Sequence, residues 1–296
     1  MFNEKRALQH GIYNSARDQL IADSQSLVRL EKFFADYLET AIAADIDSIR
    51  DDYNEASYLY PFWQNYPPEQ RGRSPVGDQF PWIEVGEHAL GSKLGTYLDK
   101  FNPRDIGLPT GSDQRFVITS PEILSLTNGL TDHAWIFIDI KSVGPRDDFD
   151  HTVMSHNQIS GNGKWDAVEA GISNSILLAR GKISSHPFHC SVPPLYVLSD
   201  GAIVPVLMYA LKPVYSMLSL KTANMKKGQP LSKITLASIP NGILLTENPN
   251  YLKSYPGLLF PGKDDKGKNP LKVRARICFK LLQKIAGWRV KHILVA

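Results

Sequence analysis

The triplet Asp139-Ile140-Lys141 sets a carboxylate and an ammonium two residues apart, at the end of the run AWIFIDI from Ala134 to Ile140. The run is rich in β-branched and aromatic residues and reads as a buried strand. Side chains alternate along a strand, so Asp139 and Lys141 project to one side and Ile140 to the other. Such a pair suits phosphodiester hydrolysis. A carboxylate holds a hard divalent cation such as Mg2+, and a lysine can position water and stabilise charge on a phosphorane-like transition state. One carboxylate does not fix a metal. Asp113 precedes a second short strand, Arg115–Thr119, and a hairpin-like pairing would let it supply another oxygen ligand.

The triplet is short, and by itself it reads more simply as an ion pair at a strand end. It recurs at Asp264 and Lys266, in a Pro- and Gly-flanked loop with no strand leading in, and that copy does not read as catalytic. Glu84 and Glu87 stand three apart on a second expected helix and share a face. Either can approach the same metal site, but on pattern alone a solvated helix face is the favoured reading. His186, His189 and Cys190 form no complete zinc-ligand pattern. Gly161-Asn162-Gly163 lacks the third glycine and the leading strand of a dinucleotide site. The chain has no Gly-x-Ser-x-Gly elbow and no Walker loop.

A second set of residues suits DNA bases. Arg274 and Arg276 alternate with Val273, Ala275 and Ile277, so on a strand both arginines face one way. Arginine and lysine can donate to guanine O6 and N7, and aspartate accepts from the cytosine amino group. Lys263 and Asp265 lie in a turn just upstream, which completes a set fit to read G·C pairs. The charged outer face of an edge strand is the plain alternative. Charge distribution bears on the choice. Residues 251–296 carry eleven Lys or Arg and two acids, or +9, and the first 250 residues carry −6. That asymmetry fits a polyanion-binding segment on an acidic body, and a solvated basic face with no partner accounts for it too.

These residues need elements to hold them. Leu20, Leu27, Leu30, Phe34, Leu38, Ile42, Ile46 and Ile49 recur mostly three or four apart and predict a helix over Ser15–Arg50. Pro61–Pro81 reads as a loop, and a second helix is expected from about Trp82 to Lys100. Ser155–Gly163 reads as a loop and Trp165–Arg180 as a helix. Strands follow at Pro194–Ser199, Ala202–Tyr209, Lys233–Ala237 and Val273–Leu281. Helices dominate the first half and strands the second, which predicts an α/β fold with a mixed sheet core flanked by helices. With 296 residues and no linker, one domain is expected: a helical part to about residue 100 and a basic DNA-reading part at about 251–296. Cys190 and Cys278 are the only cysteines, so a reducing cytoplasm is expected. No apolar stretch follows the N-terminus, and Ala202–Leu211 is about half of a membrane span, so no membrane is expected.

An acid, a strand and then acid-x-Lys is the PD-(D/E)XK nuclease arrangement, and the chain resembles the type II restriction endonucleases of that superfamily. The resemblance runs through long blocks, among them GDQFPWIEVGEHALGSKL, IGLPTGSDQR, FIDIKSVGPRDD, NQISGNGKW and PGKDD followed by VRAR. About the first 40 residues and the last 15 match poorly. Ser112 stands where the superfamily motif has proline. The resemblance implies a homodimer that cuts both strands of double-stranded DNA with Mg2+. It implies metal-binding roles for Asp113 and Asp139, a catalytic role for Lys141 and an accessory one for Glu87. It also implies base contacts from Lys263, Asp265, Arg274 and Arg276, with Asp147 as a further position, on a target equal or close to the interrupted palindrome GCCNNNNNGGC. Two other readings are a DNA-binding protein that has lost cleavage and a structure-specific repair nuclease. The intact trio Asp113, Asp139 and Lys141 argues against the first of these.

Overall fold

A computed structural model describes residues 2–55, 82–105, 114–143, 148–154, 158, 176–180, 185–189, 191–215, 231–261 and 274–295. The expected helix over Ser15–Arg50 is three helices, α1 (Phe2–Ala22), α2 (Ser24–Ala44) and α3 (Ile46–Glu55). The breaks fall at Asp23 and Asp45, whose backbones leave the helical conformation at the two ends of α2. The apolar stripe is real: Leu20, Leu27, Leu30, Phe34, Leu38, Ile42 and Ile49 are all buried. Burying each such side chain is worth about 1.5–3 kcal/mol, which is why the spacing specifies the helices. The second expected helix is α4 (Trp82–Tyr97), followed by one 3-10 turn.

The strands, in chain order, are β1 (Gln114–Thr119), β2 (His133–Ile140), β3 (His151–Met154), β4 (Ile176–Arg180), β5 (Ser185–His189) and β6 (Leu195–Val197). They continue with β7 (Ile203–Tyr215), β8 (Leu231–Ile239), β9 (Leu259–Pro261), β10 (Ala275–Cys278) and β11 (Val290–Leu294). A six-stranded mixed sheet runs β1-β2-β7-β8-β11, with β6 paired to the start of β7. The β2–β7 pair is parallel and the others are antiparallel. The expected mixed sheet with flanking helices is therefore present.

Strand alternation divides this sheet into two faces. Ala134, Ile136, Ile138 and Ile140 pack with Leu30, Phe34 and Leu38 of α2 and Leu90 and Leu94 of α4. Trp135 and Phe137 point the other way, into a cluster with Met154, Leu259, Ala275 and Ile277. Those last residues belong to a three-stranded antiparallel sheet, β3-β10-β9. α2 and α4 thus cover one face of the main sheet, and the small sheet, together with Phe279 and Leu282, covers the other. A buried ion pair fastens the helical layer: Arg289 Nη2 donates to Glu31 Oε2 at 2.8 Å, and the Asn241 N–H donates to Glu31 Oε1 at 2.6 Å.

Three expectations need correction. Residues 176–180, the end of the expected helix Trp165–Arg180, form β4, paired antiparallel with β5. A short apolar run such as ILLAR has no decisive period, so its pairing partner decides its state. The expected strand Val273–Leu281 stops at Cys278, and Phe279–Ile285 is a helix that buries Phe279 and Leu282. The strand expected over Ala202–Tyr209 runs on to Tyr215, because β8 pairs with it through that point. The loops expected at Pro61–Pro81 and, apart from Gln158, at Ser155–Gly163 lie outside the described residues, as does Asp264–Lys266.

Candidate active site and DNA-reading face

β2 is the strand that carries the acid-x-Lys triplet. It lies between β1 and β7, and seven of its eight residues are buried. By alternation Asp139 falls on the side of Trp135 and Phe137, beneath the small sheet. Its side chain is 8% exposed, whereas that of Lys141 is 40% exposed. Lys141 Nζ donates to Asp139 Oδ1 at 2.9 Å, and Gln158 Nε2 donates to the same oxygen at 3.1 Å. The expected shared side of Asp139 and Lys141 is thus observed. Lys141 itself is one residue past the strand, and its N–H still donates to Leu211 on β7. The backbone that carries the ammonium is therefore held by the main sheet. A carboxylate this shielded from water interacts more strongly with a nearby charge than it would at the surface.

β1 and β2 are antiparallel, as the hairpin-like reading requires, although the short helix Pro121–Leu126 lies between them. Gln114 pairs with Ile138. Asp113, the residue before Gln114, lies outside the described residues, as do Asp147, Lys263 and Asp265. Glu84 and Glu87 lie on α4, with their side chains outside the description. His186 and His189 lie on β5, and Cys190 is outside the described residues.

The second candidate set sits on β10. Ala275 and Ile277 are buried under the main sheet, Arg276 is half-exposed and Arg274, just before the strand, is exposed. The expected alternation holds. Arg276 Nη1 lies 3.3 Å from Asp148 Oδ2. Asp148 Oδ1 accepts from the N–H groups of Asp150 and His151, both at 3.1 Å, and lies 3.0 Å from His151 Nδ1. Burial opposes ionisation of Asp148, but His151, the Asp150 N–H and Lys212 together hold its carboxyl below the usual range. Lys212, buried on β7, donates Nζ to the carbonyls of Asp148 and His151.

Gln158, Asp148, His151 and Lys212 had no signal in the sequence. Gln158 and Lys212 meet their partners across stretches of chain that no local period encodes, and Asp148 and His151, three residues apart in a turn, reach Arg276 and Lys212 only through tertiary packing. The basic C-terminal count also needs division. Arg289 is fully buried against Glu31, and Lys291 is held by Asp36 at 2.7 Å and by Glu39. Part of the +9 therefore serves the core and the helices rather than one basic surface.

The family model for restriction endonuclease BglI matches residues 8–293. The type II restriction enzyme BglI of Bacillus subtilis is 47% identical over 298 aligned positions, covering 99% of each chain. The alignment therefore runs through both ends of the chain as well. The crystal structure of BglI bound to its DNA recognition sequence superposes with a TM-score of 0.84 at 46% identity, covering 99% of each chain. The tetrameric restriction endonuclease SfiI, bound to cognate DNA, shares the fold, with a TM-score of 0.56 at 14% identity over 90% of this chain and 84% of that one. A type II restriction endonuclease calls for a divalent metal cation. The buried carboxylate of Asp139 is the hard oxygen donor such an ion takes. No group of three or more His, Cys, Asp or Glu able to hold a metal stands among the described residues, and Asp113 is outside them. With the family model spanning nearly all of the chain and a full-length relative at 47% identity, the chain belongs to the BglI family of restriction endonucleases and is a type II restriction enzyme.

Proposed function

We propose that the enzyme is a homodimer that cuts both strands of double-stranded DNA at GCCNNNNNGGC, or a site close to it, with Mg2+. The observation that carries the chemistry is the contact of Lys141 with the buried Asp139 at the end of β2. In this reading Asp113 and Asp139 hold the cation, Lys141 acts on the reacting phosphate and Glu87 is accessory. Support for Asp113 comes from the register: the residue after it pairs with the residue before Asp139. When bound, Mg2+ supplies Lewis-acid polarisation of a phosphoryl oxygen and an acidified water. Lys141 orients water and stabilises charge on the non-bridging oxygens. Gln158 holds Asp139 in one orientation.

Base recognition falls to Arg274 and Arg276 on the small sheet, with Lys263, Asp265 and Asp147. A palindromic target has two-fold symmetry, and a two-fold dimer matches it with one subunit per half-site. No described helix is long and apolar enough to cross a membrane, and a reducing cytoplasm suits a chain with two scattered cysteines. The test is digestion of a sequenced plasmid with and without Mg2+, with fragment ends mapped to the base. Discrete fragments ending within GCCNNNNNGGC, seen only with the metal, are expected. Broad cutting would favour a structure-specific nuclease, and binding without cutting would favour a protein that has lost cleavage.

A further inference from the structure

Arg276 has a built support. β10, which carries it, lies between β3 and β9, and its pairing partners are Val153 and Phe260. The acid it meets, Asp148, is fixed from several sides. Two backbone N–H groups bind Oδ1, and the His151 ring nitrogen lies 3.0 Å from Oδ1 and 3.1 Å from Oδ2. Lys212, 3% exposed, reaches from β7 to the carbonyls of Asp148 and His151, the latter at 2.5 Å. The His151 ring meets Phe260 edge-on at 5.2 Å. Asp148 is thus tied to the main sheet through Lys212 and to the small sheet through His151, and it presents Oδ2 to Arg276.

An arginine side chain samples many rotamers, and a bidentate contact needs one of them. The guanidinium has five N–H donors in a rigid fork, so one Nη can meet a carboxylate while another edge stays available to guanine. We propose that Asp148 is a positioning residue for sequence recognition: it holds the Arg276 guanidinium in the orientation that reads a guanine. The proposal rests on the reading of Arg276 as a base contact. It assigns specificity to a residue in the turn that leads into β3, 128 positions from the arginine it serves.

The test measures binding of the full-length dimer in Ca2+, without cleavage, to GCCNNNNNGGC duplexes and to every single-base variant at fixed salt. Wild type, Asp148→Asn, Arg276→Ala and the double variant are compared. Asp148→Asn should lower the ratio of cognate to mismatch binding about tenfold at the G·C pair that Arg276→Ala affects, and should add nothing in the Arg276→Ala background. Asp148→Ser keeps an oxygen for the turn's N–H groups and replaces Asp148→Asn if that variant melts early. An equal loss on all sequences, a loss that persists in the Arg276→Ala background, or tighter binding to every duplex would overturn the assignment. If Arg276→Ala itself leaves the ratio unchanged, the reading of Arg276 fails first, and the two failures are told apart.

Discussion

β2 and β10 both carry charged residues of functional interest, and they are built in opposite ways. β2 is a central strand of the main sheet, buried on both faces, with Asp139 shielded from water. β10 is four residues long and alternates buried Ala275 and Ile277 with the more exposed Arg276 and Cys278. One strand holds a charge still in a low-dielectric setting, and the other anchors a backbone so that long side chains can reach outward. Bond-breaking gains from a preorganised, desolvated charge. Base reading needs side chains that enter a groove, with register fixed from behind. The division of labour proposed above predicts that damage to β2 stops chemistry and damage to β10 redirects it.

The largest effect should come from Asp139→Ala or Asp113→Ala. Each should abolish cleavage and leave specific binding in Ca2+ largely intact, measured by plasmid digestion beside a gel-shift titration. Wild-type cutting by either variant would break the comparison at its stronger end.

Glu31→Ala tests the frame behind β2. It strands the fully buried guanidinium of Arg289, and loss of one partner of such a pair costs about 3–5 kcal/mol. A urea denaturation midpoint should fall accordingly. A change below ~1 kcal/mol would show that the pair is not what fastens α2 to the rest of the core.

Lys141→Ala should slow cleavage by about 10²–10³-fold, since one preorganised charge at the transition state is worth ~3–4 kcal/mol. Single-turnover rates on a cognate duplex measure this. Lys266→Ala should leave the rate unchanged, and the reverse outcome would exchange the roles of the two triplets.

The smallest effect is expected on β10. Arg276→Ala should cost about 1–3 kcal/mol at one G·C pair per half-site, with less effect on other sequences. Binding to all single-base variants at fixed salt separates this from a phosphate contact, whose loss would weaken every duplex alike and reduce the salt dependence. A uniform loss would turn β10 from a reader into a clamp.

Much of the frame was legible locally, because burial imposes a period on sequence. The three- and four-residue spacing from Leu20 to Ile49 specified helices, and the run from Ala134 to Ile140 specified the strand that sets Asp139 and Lys141 on one side. The same alternation placed Arg274 and Arg276 opposite the buried Ala275 and Ile277. A period states which face is buried, however, and not which neighbour covers it. It therefore misread residues 176–180, whose strand depends on pairing with β5, and it carried β10 on to Leu281, where the helix Phe279–Ile285 packs its apolar side chains into the core. The contacts that fix the charged groups are of that second kind. Gln158 reaches Asp139 from 19 residues away, Lys212 reaches Asp148 from 64, and Asp148 reaches Arg276 from 128. Pairing of β3 with β10 brings Asp148 to Arg276, and stacking of the small sheet on the main sheet brings Lys212 to Asp148; side-chain hydrogen bonds form where tertiary packing sets donor beside acceptor, and no local pattern records that distance.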